Sequence, residues 1–191
     1  MKRLIFVDMD GVLTDFDRQF EVYTGSSPTS YQQTHGAEAF YHEIDEFPVE
    51  FWSEMSWTSS GKQLLGDLKQ KIADDEQSDI LTTFKILTTA FKSNSRSVIG
   101  KRQWLMRELG VPALAIDVDE VTDIDNMCFI NLTHPKSFYA QVAVAADYSP
   151  DSIILVDDYG KNCREFAEAG FKTIKFTNSE YKDIKQQIDY V

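Results

Sequence analysis

Asp8 and Asp10 are the residues of this chain whose types and spacing most directly indicate chemistry. They follow the apolar run 4–7 and precede Gly11, so a buried strand is predicted to end in two carboxylates separated by one residue. In an open α/β sheet, ligands bind in the crevice outside the carboxyl ends of the strands. Carboxylates buried there require a cation, and Mg²⁺ binds through one or two carboxylates and leaves its other positions to water and phosphate oxygens. The alternative is a polar turn in which the aspartates only cap the chain.

A second acidic pair favours the cation site over the polar turn. Asp157 and Asp158 follow another apolar run, at 153–156. If the two strands are parallel neighbours, both pairs meet at the same edge of the sheet. Several carboxylates within a few ångströms repel one another unless a divalent ion lies between them.

The stretch 8–15 reads Asp-Met-Asp-Gly-Val-Leu-Thr-Asp and resembles the first motif of the haloacid dehalogenase-like phosphohydrolases, Asp-x-Asp-Gly-x-hydrophobic-x-Asp. That family also has a Thr or Ser at the end of the second core strand, matched here by Thr88 and Thr89. Its lysine is matched by Lys136, and its later acidic pair by 157–158. Within the family, the chain is most similar to the 5′(3′)-deoxyribonucleotidases.

The resemblance implies a phosphate ester hydrolase that works through an aspartyl-phosphate. Asp8 would be the nucleophile, because a carboxylate can divide one difficult hydrolysis into two easier steps. Asp10 would protonate the leaving oxygen and later activate water, which requires a pKa raised by its acidic neighbours. Mg²⁺ would be held by Asp8, the main-chain carbonyl of Asp10 and Asp157, with Asp158 as a direct or indirect partner.

The resemblance also assigns substrate contacts. Thr88 and Thr89 would donate hydrogen bonds to the phosphate, and Lys136 would add a fixed positive charge beside the nucleophile. Phe16 matches the phenylalanine that stacks on the substrate base in the deoxyribonucleotidases. The implied substrate is a nucleoside monophosphate. A sugar phosphate, a polynucleotide 3′-phosphate and a receiver-like module that only accepts phosphate stay open as alternatives.

Strand and helix patterns alternate after the first strand, which predicts right-handed crossovers and a Rossmann-like, three-layer α/β core around a parallel sheet. Residues 1–16 and 81–191 are assigned to this core. Residues 17–80 are too long for a plain loop and are predicted to form a small helical cap inserted after the first strand. Nine aromatic residues lie in that interval: Phe20, Tyr23, Tyr31, Phe40, Tyr41, Phe47, Phe51, Trp52 and Trp57.

The composition limits which molecules this protein is expected to bind and where it is expected to act. The 191 residues carry a formal net charge of -12, so duplex nucleic acid would be repelled over most of the surface, whereas a small phosphate ester could be neutralised locally. No apolar run approaches the length of about 18 residues needed to span a membrane, and Met1-Lys2-Arg3 leads directly into a core strand. We expect a cytoplasmic enzyme, and the sequence leaves open whether it forms a homodimer.

Two further patterns do not fit the binding motifs that they partly resemble. Gly100 and Lys101 end a stretch that has Ser95 where a phosphate-binding P-loop needs its first glycine, so no such loop is predicted. The acidic segment 117–125 lacks the glycine and glutamate of a calcium loop and is interpreted as a solvated connection.

Overall fold

Six parallel strands form one sheet at the centre of the protein. The structure is a computed structural model, and it describes residues 1–90, 95–111, 114–116, 128–131 and 134–190. The strands are β1 (Lys2–Val7), β2 (Leu81–Thr89), β3 (Leu114–Ile116), β4 (Cys128–Asn131), β5 (Ile153–Asp157) and β6 (Lys172–Lys175). Their order in the sheet is β3-β4-β2-β1-β5-β6. Because β1 lies between β2 and β5, the first acidic motif leaves the sheet near its middle.

Among the described residues, eight α-helices surround or extend this sheet. They are α1 (Phe16–Thr24), α2 (Pro28–Glu46), α3 (Val49–Ser53), α4 (Gly61–Glu76), α5 (Ser95–Leu109), α6 (Lys136–Ala145), α7 (Gly160–Glu168) and α8 (Tyr181–Tyr190). None of the helices in the described part of the chain is long and apolar enough to cross a membrane.

The two faces of β1 show how the three layers form. Ile5 and Val7 belong to one buried cluster together with apolar residues of α4, α5 and α8. Leu4 and Phe6, which point the opposite way, belong to a second cluster with residues of α6 and α7. A strand that is apolar on both faces therefore lies between two helix layers, as expected for a parallel sheet. The predicted α/β, Rossmann-like fold class is confirmed.

The interval between β1 and β2 divides into two parts. Helices α1, α2 and α3 share an aromatic cluster built around Phe20, whose ring centroid lies 5.3 Å from that of Phe40 and 5.6 Å from that of Phe47. Helix α4 instead packs against β2 and α8, with Leu64 and Leu68 in the core. The predicted cap boundaries, 17 and 80, stay a proposal; because α4 packs with the sheet layer, we propose that α1, α2 and α3 form the cap.

Helix α2 reverses direction at Gly36, whose φ of 86° lies in a region that L-residues rarely adopt. Because of this reversal, the hydroxyl of Tyr31 donates a hydrogen bond of 3.0 Å to Glu43 Oε2. Residues twelve apart in a straight helix would be separated by about 18 Å. The second half of α2 consequently lies beside the strand ends.

Candidate active site

The strand register brings both acidic pairs to one edge of the sheet. Val7 pairs with Val156, and the amide of Asp8 continues this ladder by donating to the carbonyl of Val156 at 2.9 Å. Asp157 ends β5, so its side chain lies beside that of Asp8. Carboxylate oxygens of Asp8, Asp157 and Asp158 all lie within 4.8 Å of one another. The structure thus brings together the acids that the sequence separates by almost 150 residues.

Gly11 allows the loop after β1 to approach Asp158. Its φ is +76°, and a Cβ at this position would lie 2.1 Å from Asp158 Oδ2. Any side chain would therefore meet both a backbone penalty and a direct collision. The missing side chain at Gly11 is therefore what allows this loop to lie against Asp158.

Lys136 begins α6 and lies beneath the acidic cluster, with only 4% of its surface exposed. Its Nζ lies 2.8 Å from Asp8 Oδ1 and 2.6 Å from Asp157 Oδ2. Burial alone would lower the pKa of Lys136, but these two carboxylates raise it above its usual value. The lysine therefore remains charged, and its ammonium joins the ends of β1 and β5.

Asp157 and Asp158 have different surroundings. Both oxygens of the buried Asp157 accept hydrogen bonds from the protein: Oδ1 from the amide of Tyr159 at 2.8 Å, and Oδ2 from Lys136 and from Asn162 Nδ2 at 3.0 Å. Asp158 lines the neighbouring cavity and is exposed. Asp157 is thus engaged in holding the lysine, while Asp158 has oxygens available to an ion.

The acidic cluster has the electrostatics of a cation site. Burial raises the pKa of Asp8 to about 8, opposed by Lys136 and reinforced by the carboxylates of Asp157 and Asp158. Although Asp158 is exposed on its cavity side, the protein atoms packed around its carboxyl group and the adjacent Asp157 raise its pKa to about 7. Ionising these groups together is unfavourable because one buried lysine cannot balance them all. Three oxygen donors with this excess of negative charge fit a hard divalent cation.

Asp10 is oriented from two sides. The hydroxyl of Thr14 lies 3.2 Å from both Asp10 Oδ1 and the carbonyl of Met9, which share its one proton, and Lys101 Nζ donates to Asp10 Oδ2 at 2.6 Å. The side chain of Lys101 is completely buried. Lys101 was not among the predicted site residues, although it contacts the second acid of the motif. Its position on the same helix face as buried Trp104 was a usable signal, because a lysine on an apolar face requires a buried partner.

Thr88 and Thr89 end β2 beside Lys101 but differ in their exposure to the cavity. Thr88 is completely buried, and its Oγ1 accepts from Lys101 Nζ at 2.9 Å. Thr89 is exposed, lines the cavity, and its carbonyl accepts from the same ammonium at 2.6 Å. Of the two threonines predicted to contact the phosphate, Thr89 lies on the wall of the cavity and Thr88 does not.

A cavity of about 300 Å³ opens above the carboxylates. Asp8, Asp10 and Asp158 lie on its polar side. Its other wall carries Phe16 and three residues of α2, namely Phe40, Tyr41 and Ile44. The ring of Phe16 also packs against Phe51 and Trp52, with centroid separations of 5.7 and 6.1 Å. Phe16 therefore belongs both to the cap core and to the cavity wall.

No family model and no curated protein matches this chain in sequence. Solved structures do match it in fold. A dehalogenase is 13% identical, with a TM-score of 0.51, and the alignment covers 91% of this chain and 84% of the other. L-2-haloacid dehalogenase from Xanthobacter autotrophicus is 13% identical, with a TM-score of 0.49 and coverage of 92% and 77%.

A third similar structure is a HAD family enzyme from Bacteroides thetaiotaomicron in complex with magnesium and inorganic phosphate. It is 12% identical, with a TM-score of 0.47, and the alignment covers 94% of this chain and 96% of the other. At these identities the likeness shows the fold alone. This chain shares its fold with a dehalogenase, and that α/β fold agrees with the one that the sequence resemblance implies.

Proposed function

We propose that this protein is a Mg²⁺-dependent phosphomonoesterase that hydrolyses nucleoside monophosphates, in the manner of a 5′(3′)-deoxyribonucleotidase. One observation carries the proposal. Asp8 lies at the floor of a cavity, within 4.8 Å of two further carboxylates and 2.8 Å from a buried lysine. A nucleophilic carboxylate, a cation site and a fixed positive charge are what phosphoryl transfer to an aspartate requires.

Asp8 attacks the phosphorus in this scheme and forms an acyl phosphate. One of its oxygens, Oδ1, is held by the amide of Met9 at 2.7 Å and by Lys136. These contacts fix the carboxylate plane and direct the second oxygen toward the cavity. Because the reacting atoms are oriented before the reaction, part of the entropic barrier is removed.

Asp10 is assigned the proton transfers. It donates a proton to the leaving oxygen when the ester bond breaks, and it takes a proton from the water that later attacks the acyl phosphate. Asp10 lies on the cavity wall, two residues from Asp8, so one leaving group can be within reach of both.

The cation would be bound by Asp8, the main-chain carbonyl of Asp10 and Asp158. We propose Asp158 ahead of Asp157 as the ligand, because Asp157 already accepts three hydrogen bonds from the protein. When bound, Mg²⁺ neutralises the carboxylates and the phosphate oxygens and so allows two anions to approach.

The phosphate itself would meet Thr89 and Lys136. Thr89 lines the cavity, and the ammonium of Lys136 has three protons, of which two point to Asp8 and Asp157. The third proton is available to a phosphoryl oxygen. We propose that the buried Thr88 acts indirectly, through its hydrogen bond with Lys101.

The apolar wall supports a substrate with a flat, partly hydrophobic group. Phe16 and Tyr41 lie on the wall opposite the acids, and the ring of Tyr41 is half exposed. A nucleobase offers an aromatic face to such side chains, whereas a sugar phosphate offers only hydroxyl groups. The formal charge of -12 opposes long polyanions but not a mononucleotide held by a cation.

A phosphate-release screen tests the proposal. Nucleoside monophosphates with 5′- or 3′-phosphates, sugar phosphates and a small aryl phosphate are compared, each with Mg²⁺ and with excess chelator. We expect release from nucleotides to exceed release from sugar phosphates and to require Mg²⁺. Release that persists in chelator, or no release from any ester, would contradict the proposed function. A preference for sugar phosphates would contradict only the substrate class.

A further inference from the structure

Lys101 is a completely buried cation on α5, and no step of the proposed reaction accounts for its burial. Its ammonium donates to Asp10 Oδ2 at 2.6 Å, to Thr88 Oγ1 at 2.9 Å and to the carbonyl of Thr89 at 2.6 Å. A lysine ammonium has three protons, so all of them are used. Unlike Lys136, it therefore has no proton left for a substrate.

The surroundings of Lys101 hold it in place and exclude water. Its Nζ lies 5.3 Å from the centroid of the Trp52 ring on α3. The preceding residue, Gly100, packs so closely on α3 that a Cβ there would lie 2.4 Å from Trp52 Cβ and 2.6 Å from the carbonyl of Val49. A hydrogen-bonded ion pair in such a dry site is stronger than one in water and has little freedom to rearrange.

We propose that Lys101 is a positioning residue for Asp10: it holds this carboxylate in the orientation in which it transfers a proton to the leaving oxygen. The inference rests on the proposed function, because that function gives Asp10 its proton-transfer role. Thr14 Oγ1 lies 3.2 Å from the other oxygen of Asp10 and also 3.2 Å from the carbonyl of Met9, which share its one proton, so the charged Lys101 makes the stronger contact with this carboxylate. A carboxylate fixed in this way cannot rotate out of reach of the leaving group.

The proposal makes the effect of Lys101 depend on the leaving group. An alkoxide from a nucleoside needs a proton as the ester bond breaks, whereas a nitrophenolate leaves without one. The ratio kcat/KM reports the steps up to transfer of the phosphoryl group to Asp8, during which this proton is given. A residue that serves the proton donor should therefore matter for the first substrate and little for the second.

The test compares Lys101→Met and Lys101→Gln with Lys69→Met, a matched substitution at an exposed lysine of α4. A deoxynucleoside monophosphate and p-nitrophenyl phosphate are the two substrates. We expect the Lys101 variants to lower kcat/KM about 100-fold for the nucleotide and less than about 5-fold for the aryl ester, since general acid catalysis contributes roughly 10²–10⁴. Lys69→Met should leave both values unchanged.

A double-mutant cycle adds a second readout. In an Asp10→Asn background, Lys101→Met should cause a further loss of less than about 3-fold with the nucleotide, because residues that act as a unit are non-additive. Equal losses on both substrates, or a full additional loss in that background, would overturn the proposal. If the wild-type protein hydrolyses neither ester, the proposed function fails, which is a different result from equal losses in an active enzyme.

The wild-type protein supplies a measurement that needs no folded variant. In a crystal structure with Mg²⁺ and beryllium fluoride, Lys101 Nζ should stay within hydrogen-bond distance of Asp10 and make no contact with the fluorides. A direct contact between Lys101 and the fluorides would overturn the positioning role, since the lysine would then act on the phosphoryl group itself. A beryllium fluoride that fails to bind at Asp8 would contradict the proposed function.

Discussion

Replacing Lys136 by methionine removes one buried charge from the centre of the acidic cluster and keeps most of the side-chain volume. The ammonium lies 2.8 Å from Asp8 Oδ1, so a phosphoryl group attacked by Asp8 would be within a few ångströms of it. Two unit charges 4 Å apart interact by about 4 kcal/mol at an effective dielectric constant of 20. The loss of one fixed donor at a transition state costs roughly 10²–10³ in turnover, which agrees with that interaction energy. We therefore expect kcat for a nucleoside monophosphate to fall by ~10²–10³.

The pH dependence of the same variant gives an independent readout. Lys136 lowers the pKa of Asp8, opposing the burial that raises it. Asp8 must be ionised to attack, so activity is lost as the pH falls through its pKa. Removing Lys136 raises that pKa further, and the acidic limb of the kcat/KM profile should move to higher pH. A variant that was merely less stable would lose activity without this displacement.

Steady-state phosphate release at saturating Mg²⁺, together with thermal melting, is the assay. Lys185→Met is the matched control, because Lys185 also lies near two carboxylates but is 43% exposed at the surface. Surface ion pairs contribute little, so this control should keep wild-type turnover. Lys136→Arg should restore little activity, since a planar fork does not fit where one nitrogen contacts two acids. Wild-type turnover in Lys136→Met would refute the reasoning.

Three further predictions concern the cavity and the cation site. Gly11→Ala should weaken the apparent Mg²⁺ affinity at least about 10-fold in an activity titration, because its Cβ collides with Asp158 and backbone strain costs roughly 1–3 kcal/mol; an unchanged affinity would contradict the close approach. Phe16→Ala should lower kcat/KM for deoxynucleoside monophosphates by ~5–150-fold and spare a small aryl phosphate, as stacking is worth about 1–3 kcal/mol; equal losses on both would make Phe16 a packing residue only. In chelator, the free energy of unfolding should fall as the pH rises from about 4 to about 8. The pKa of Asp8 in the folded protein lies above its ordinary value, so the folded state binds more protons than the unfolded state over this range. Mg²⁺ should therefore raise Tm more at about pH 8 than at about pH 5, and equal shifts at both would contradict the cation site.

The acidic motifs were predictable from sequence because strand ends are marked by an abrupt change from apolar to acidic residues. Asp8 and Asp157 each follow such a run, and parallel pairing alone brings the strand ends to one edge. The fold class followed from the same alternation of strands and helices. None of this depends on side-chain detail, which is why the sequence was sufficient.

Lys101 was missed because its role depends on how α5 packs rather than on a motif. Comparison with a P-loop could not reveal this role, because Lys101 donates to the carboxylate of Asp10 and to the carbonyl of Thr89 and not to a nucleotide. The sequence leaves the far boundary of the cap open for a related reason. Leu64 and Leu68 of α4 repeat with a helical period, which fits a helix on the sheet as well as one in a cap, and only the contacts with β2 and α8 distinguish the two.

The acidic segment 117–125 lies outside the described residues, so its interpretation as a solvated connection stays a prediction. The expected cytoplasmic location and the open question of a homodimer also stay at that level. The different roles that we propose for Asp157 and Asp158 could not be predicted from the sequence. They depend on three hydrogen bonds that Asp157 accepts from the protein, which leave Asp158 available to a cation.

The central claim is that Asp8 carries the phosphoryl group during turnover, and trapping that intermediate tests it most directly. The enzyme is mixed with a nucleoside monophosphate and Mg²⁺, quenched in acid during the first turnover and digested, and the peptides are analysed by mass spectrometry. We expect a phosphoryl group on Asp8 in the wild-type protein and none in Asp8→Asn. Rapid turnover with no phosphorylated peptide, or full activity in Asp8→Asn, would contradict the claim.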